Sequence, residues 1–116
     1  MPEEIRQLLL TQGQIESEII RLSSDLEDTT HAFGAQAEMA AMADARWKRE
    51  EAKLMLVSTR TSEGARRADA LVRSGDAYTN YRVAEAFSGA LQEKCRSLRA
   101  QLGALQTLSA NVRSQT

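Results

Sequence analysis

Anion binding is the one chemistry that this 116-residue chain offers in quantity, through fifteen lysines and arginines. Arg46, Lys53, Arg60 and Arg67 recur every seven residues, which on a helix sets them in one line beside an apolar seam. Arg66, Arg73 and Arg82 gather near a Ser74-Gly75 corner, and Lys94, Arg96 and Arg99 follow on the next arm. A row of guanidinium groups suits a phosphate backbone, so a nucleic-acid surface is assigned to Arg60, Arg66, Arg67, Arg73 and Arg82. Cations flanking a coiled-coil seam also pair with acids on a neighbouring helix, and Asp44 and Glu51 occupy the opposite flank. Both readings stay open at this stage.

Other chemistries lack their residues. A disulfide needs two thiols and a zinc site several Cys or His ligands, whereas Cys95 and His31 are each alone of their kind. No metal or cofactor is expected. Gly64 and Gly75 lack the spacing and the following Lys-Ser or Lys-Thr of a phosphate-cradling loop, and no arrangement marks an enzyme. Tyr78, beside Arg73 and Arg82, is the candidate for stacking on a nucleobase. Trp47 and Phe33 follow the apolar register and are expected in the core, as is Cys95.

The net charge is −1, but residues 1–44 carry two basic and nine acidic groups, while residues 45–116 carry thirteen basic and seven acidic ones. With 42% hydrophobic residues, 27% charged residues and no run of eighteen apolar ones, a folded protein without a membrane span is expected. The first residues, Met1-Pro2-Glu3-Glu4, do not resemble an export signal, and a cytoplasmic location in a bacterial host is expected.

The elements that position these groups are helices. Alternate steps of three and four residues from Ile5 through Leu8, Ile15, Ile19, Leu22, Leu26 and Phe33 to Trp47, Leu54, Ala68 and Leu71 keep one heptad phase. Ser23, Ser24, Asp28, Thr29 and Thr30 predict a break or bend within 23–30. A second helix is expected from Asp76 to about Arg113. The fold expected is all-α: an N-terminal acidic amphipathic helix over 1–30, then a long antiparallel, coiled-coil-like helical hairpin over 31–116 with its turn near 74–76. With the apex at Gly75, facing residue numbers sum to about 150, placing Trp47 opposite Leu102 and Leu54 opposite Cys95. The first 36 residues then lack a partner on the second arm, so this helix either folds back onto the hairpin or packs on other subunits; the second is preferred, and Ile5, Leu8, Ile15, Ile19, Leu22 and Leu26 are assigned to homo-oligomerisation.

From Ala45-Arg46-Trp47-Lys48-Arg49 through Ala65-Arg66-Arg67 and Arg73-Ser74-Gly75-Asp76 to Leu98, Leu102, Leu105, Asn111 and Arg113, the chain resembles the UvsY-like recombination mediators of bacteriophages. That resemblance covers about 70 residues and implies a ring-like homo-oligomer of helical hairpins. It also implies single-stranded DNA bound by the basic helix around Arg66 and Arg67, with a RecA-like recombinase and a single-strand-binding protein as partners. The alternative is a structural or adaptor coiled-coil protein that mediates protein–protein assembly without binding nucleic acid.

Overall fold

A computed structural model describes residues 11–114 of the chain. They form three helices: α1, Gln12–Val57; α2, Glu63–Arg73; and α3, Gly75–Ser114. No strand occurs among the described residues. Ile5 and Leu8 lie outside them.

Local chemistry fixes where α1 and α2 start. At Thr11 the backbone N–H donates to Gln14 Oε1 (2.8 Å), and the Gln14 N–H donates back to Thr11 Oγ1 (3.1 Å). This reciprocal box satisfies donors that the first helical turn leaves open. Ser62 performs the same service for α2, its hydroxyl accepting from Ala65 N at 3.1 Å. Replacing Ser62 by alanine is expected to destabilise α2 by about 1 kcal/mol, whereas Asn should preserve it, as thermal melts would show.

The expected break within 23–30 does not occur: α1 is unbroken from Gln12 to Val57. The residues there each cost about 0.5 kcal/mol in helix propensity, but buried Leu22 and half-buried Leu26 recover roughly 1.5–3 kcal/mol apiece. No such compensation exists where the helix does end. Leu56 and Val57 are 85% and 67% exposed, and the run Ser58-Thr59-Arg60-Thr61-Ser62 follows. Asp69 receives a hydrogen bond from Ser58 Oγ at 3.1 Å and pairs with Arg73 at 3.3 Å, tying this connector to α2.

The corner expected at 74–76 is a one-residue interruption between two helices. Ser74 N–H donates to Ala70 O (2.9 Å), Tyr78 N–H donates to Ser74 O (3.0 Å), and the Ser74 hydroxyl returns to Ala70 O at 2.7 Å. These i to i−4 bonds continue helical geometry on both sides of Ser74, and Gly75 has no positive φ. The non-helical connector is instead 58–62.

The described residues divide into two compact units. One holds residue 11 with residues 12–31 of α1, and residues 92–114 of α3. Its core is Leu22, Leu98 and Leu102, with Ile19, Leu26 and Leu105 packed around them. Gln12 Nε2 donates to Ser109 Oγ at 2.8 Å, Glu16 pairs with Arg113 at 3.5 Å, and Thr30 Oγ1 lies 3.9 Å from the buried Cys95 Sγ. The residue numbers in these three contacts sum to 121, 129 and 125. The sum of about 150 expected from a Gly75 apex is therefore incorrect here. Ile15, Ile19, Leu22 and Leu26, which the sequence assigns to oligomerisation, lie buried or half-buried within the chain's own unit.

The other unit comprises residues 32–91. Here Gln36 Nε2 donates to Ala84 O at 3.2 Å, and Trp47 meets Tyr78 and Tyr81 instead of Leu102. Ala70 is its buried hydrophobic residue, whereas Met39, Met42, Leu56, Val57, Val72, Val83 and Phe87 are each at least half exposed.

Candidate nucleic-acid interface

Of the arginines assigned from sequence, Arg60 lies in the connector, Arg66, Arg67 and Arg73 on α2, and Arg82 on α3. The heptad line from Arg46 to Arg67 is therefore cut where α1 stops, at Val57. Three of the five are engaged within their own helices: Arg67 with Glu63 (3.6 Å), Arg73 with Asp69 (3.3 Å) and Arg82 with Glu85 (3.0 Å). The Arg67 and Arg82 pairs are exposed, so they are weak and exchange readily with other anions, whereas Asp69 beside Arg73 is half-buried. Arg60 and Arg66 are exposed and form no ion pair among the described residues. Arg60 borders a hollow shared with Ala65, Ala68, Asp69 and Val72, so an acid stands beside it.

A more continuous cationic surface lies on α1. Met39, Met42, Arg46, Arg49, Lys53 and Leu56 succeed one another at steps of three and four, the spacing of a single helix face. All six are exposed. Arg46, Arg49 and Lys53 form no ion pair among the described residues, although the exposed Glu50 stands beside them in sequence. Arg46 and Arg49 share a shallow hollow with Met42 and Ala45, and Arg46 also borders one with Met39, Ala43, Asn80 and Ala84. Three cations thus project over about 10 Å of helix axis beside two methionines able to cover apolar base faces. A seven-residue period registers Arg46 and Lys53 but not Arg49, because the relevant period is that of the outer face, not the seam.

Behind this face sits an aromatic cluster. Trp47 and Tyr81 stack with centroids 5.8 Å apart and planes 2° from parallel, and Tyr78 tilts against Trp47 at 5.0 Å. Tyr78, the candidate for stacking on a base, is half-buried and tilted by 59° against Trp47. Trp47 Nε1 is buried with no hydrogen-bond partner. Tyr81 donates its hydroxyl proton to Glu85, and that bond, aided by burial, pushes the phenol above its ordinary value of 10.

Folding also redistributes the charge. Residues 92–114 join residues 11–31 in one unit, so cations of the basic half share that unit with acids of the acidic half. The unit of residues 32–91 carries nine basic and eight acidic groups. Any polyanion affinity must therefore come from local placement and not from net charge. Among the described residues no three His, Cys, Asp or Glu side chains converge as a metal site requires, and no helix is long and apolar enough to cross a membrane.

No family model matches the chain, and comparison with curated proteins and with solved structures finds no match either.

Proposed function

We propose that this protein binds single-stranded DNA through the α1 face of Arg46, Arg49 and Lys53, extended by Arg60 and Arg66, and acts as a phage-type recombination mediator. The observation that carries this reading is three consecutive face positions bearing exposed cations with no ion-pair partner among the described residues. Two of them, Arg46 and Arg49, fall in the Ala45–Arg49 stretch on which the UvsY-like resemblance rests. In this reading α1 and α3 pair antiparallel and copies of the chain assemble, so that several weak phosphate contacts add along a strand held ready for a RecA-like recombinase. A single-strand-binding protein is the other expected partner, in the cytoplasm of a bacterial host.

The test is fluorescence anisotropy of a labelled oligothymidylate titrated with protein at several salt concentrations. Three phosphate contacts per chain predict a slope of about −2 in log affinity against log salt. Absence of binding at low salt, or an affinity indifferent to salt, overturns the reading. The alternative, an adaptor coiled-coil protein without nucleic-acid binding, draws its support from the ion pairs of Arg67, Arg73 and Arg82 within their own helices. It predicts no oligonucleotide binding under any of these conditions.

A further inference from the structure

The connector 58–62 lacks the residues of an obligatory turn. Ser58-Thr59-Arg60-Thr61-Ser62 contains neither glycine nor proline, and none of the five has a positive φ. Local hydrogen bonds hold it out of the helix: Arg60 N–H donates to Ser58 Oγ at 3.2 Å, Ser58 Oγ donates to Asp69, and Ser62 caps α2. The spacing of the flanking residues runs straight through it. Leu54, Val57, Thr61, Gly64, Ala68 and Leu71 keep steps of three and four from α1 into α2, and Arg46, Lys53, Arg60 and Arg67 keep steps of seven. One uninterrupted helix would satisfy both series.

Contacts between α1 and α3 span this connector: Gln12 with Ser109 and Leu22 with Leu98 and Leu102 in one unit, Gln36 with Ala84 and Trp47 with Tyr81 in the other. Each would be the same contact if α1 came from another chain. We propose that two copies of the protein exchange α1, the connector turning helical so that α1 runs into α2 and packs on α3 of the other copy. The occupant is a second copy because it alone carries the residues that each of these contacts already fits. Opening forfeits the Ser58 and Ser62 bonds and gains backbone bonds through 58–62, so the two forms differ chiefly in the entropy of bringing two chains together. The closed chain therefore prevails at micromolar concentration, and the exchanged pair accumulates as about 1 mM is approached. Exchange also sets Arg46, Lys53, Arg60 and Arg67 in one row, but it does not depend on DNA binding.

Thr30→Cys in the full chain supplies the readout, since Thr30 Oγ1 lies 3.9 Å from Cys95 Sγ. Isotope-labelled and unlabelled chains of this variant are equilibrated at about 1 mM, diluted, and oxidised at once with glutathione disulfide. Mass spectrometry should then find position 30 of one isotope joined to Cys95 of the other, a product that closed chains cannot give. Chains mixed and oxidised at about 5 μM should show the link within one isotope only. Glu63→Pro separates exchange from other association. Position 63 opens α2 and Ser62 before it is extended (φ −97°, ψ 152°), so the closed chain accommodates proline there, whereas a helix running through 63 does not. This variant should lower the mixed product at least about tenfold with an unchanged helical signal. Replacing Ser58, Thr59, Thr61 and Ser62 together by alanine should raise it at least about tenfold, because alanine favours the helix and removes the bonds that hold the connector open. Mixed product that is absent from the alanine variant at about 1 mM, or undiminished by Glu63→Pro, overturns the proposal.

Discussion

Replacing Arg46, Arg49 and Lys53 together by alanine should weaken binding to oligothymidylate by about 10²-fold at low salt, and lower the steepness of the salt dependence by about 2. The size follows from counting: each phosphate that a cation no longer neutralises keeps its condensed counterions, and the three cations stand on one uninterrupted helix face. Folding should be unaffected. Alanine is the strongest helix former, and none of the three side chains is buried or in an ion pair among the described residues. Circular dichroism of the variant checks that point, and the anisotropy titration checks the binding. Replacing Arg67, Arg73 and Arg82 instead should cost less, since each already trades part of its charge with a carboxylate three or four residues away. If the two triple variants bind alike, the α1 face is not the site. Trp47 is the chain's one tryptophan and adjoins Arg46 and Lys48, so its fluorescence should also respond to the oligonucleotide.

Leu98→Ala should lower stability by about 2–4 kcal/mol, enough to move the melting midpoint by about 10 °C or more. Leu98 is 7% exposed and packs with Leu22 and Leu102 in the only cluster of buried large side chains among the described residues. A core of this size cannot close over a missing isobutyl group, so the cavity cost adds to the lost burial. Leu22→Ala should do similar damage, and the double variant should be less than additive because the two residues are in one cluster. The dependence on protein concentration is diagnostic. Packing within one chain makes the loss the same at every concentration, whereas packing between subunits, as the sequence alone suggests for Leu22, ties it to assembly.

The helical character is legible residue by residue. Apolar positions at three- and four-residue steps, a lone proline at position 2 and hydroxyl caps such as Ser62 account for α2 and α3 and for most of α1. Segment 23–30 stays helical against its local signals because cap propensities there are small beside the burial of Leu22 and Leu26, which depends on α3. The same residue types at 58–62 do interrupt the chain, since Leu56 and Val57 before them gain no burial. On the candidate site, the cations are visible in the sequence but their grouping is not. A seven-residue period joins Arg46 to Arg67 across a connector, and omits Arg49, which neighbours Arg46 on the outer face.

Composition and periodicity by themselves determined that the chain is helical, that its helices carry apolar stripes, and that its cations stand outside those stripes. Which stripe meets which was decided by the tertiary structure. A heptad pattern is matched almost equally well after a shift of whole heptads, so the energy read along one helix is nearly blind to register. Moving the non-helical connector from 74–76 to 58–62 changes the facing sum from about 150 to values of 121 to 129, a shift of about three to four heptads. That shift gives Leu22 and Leu26 a partner in their own chain, and leaves Val83 and Phe87 facing solvent.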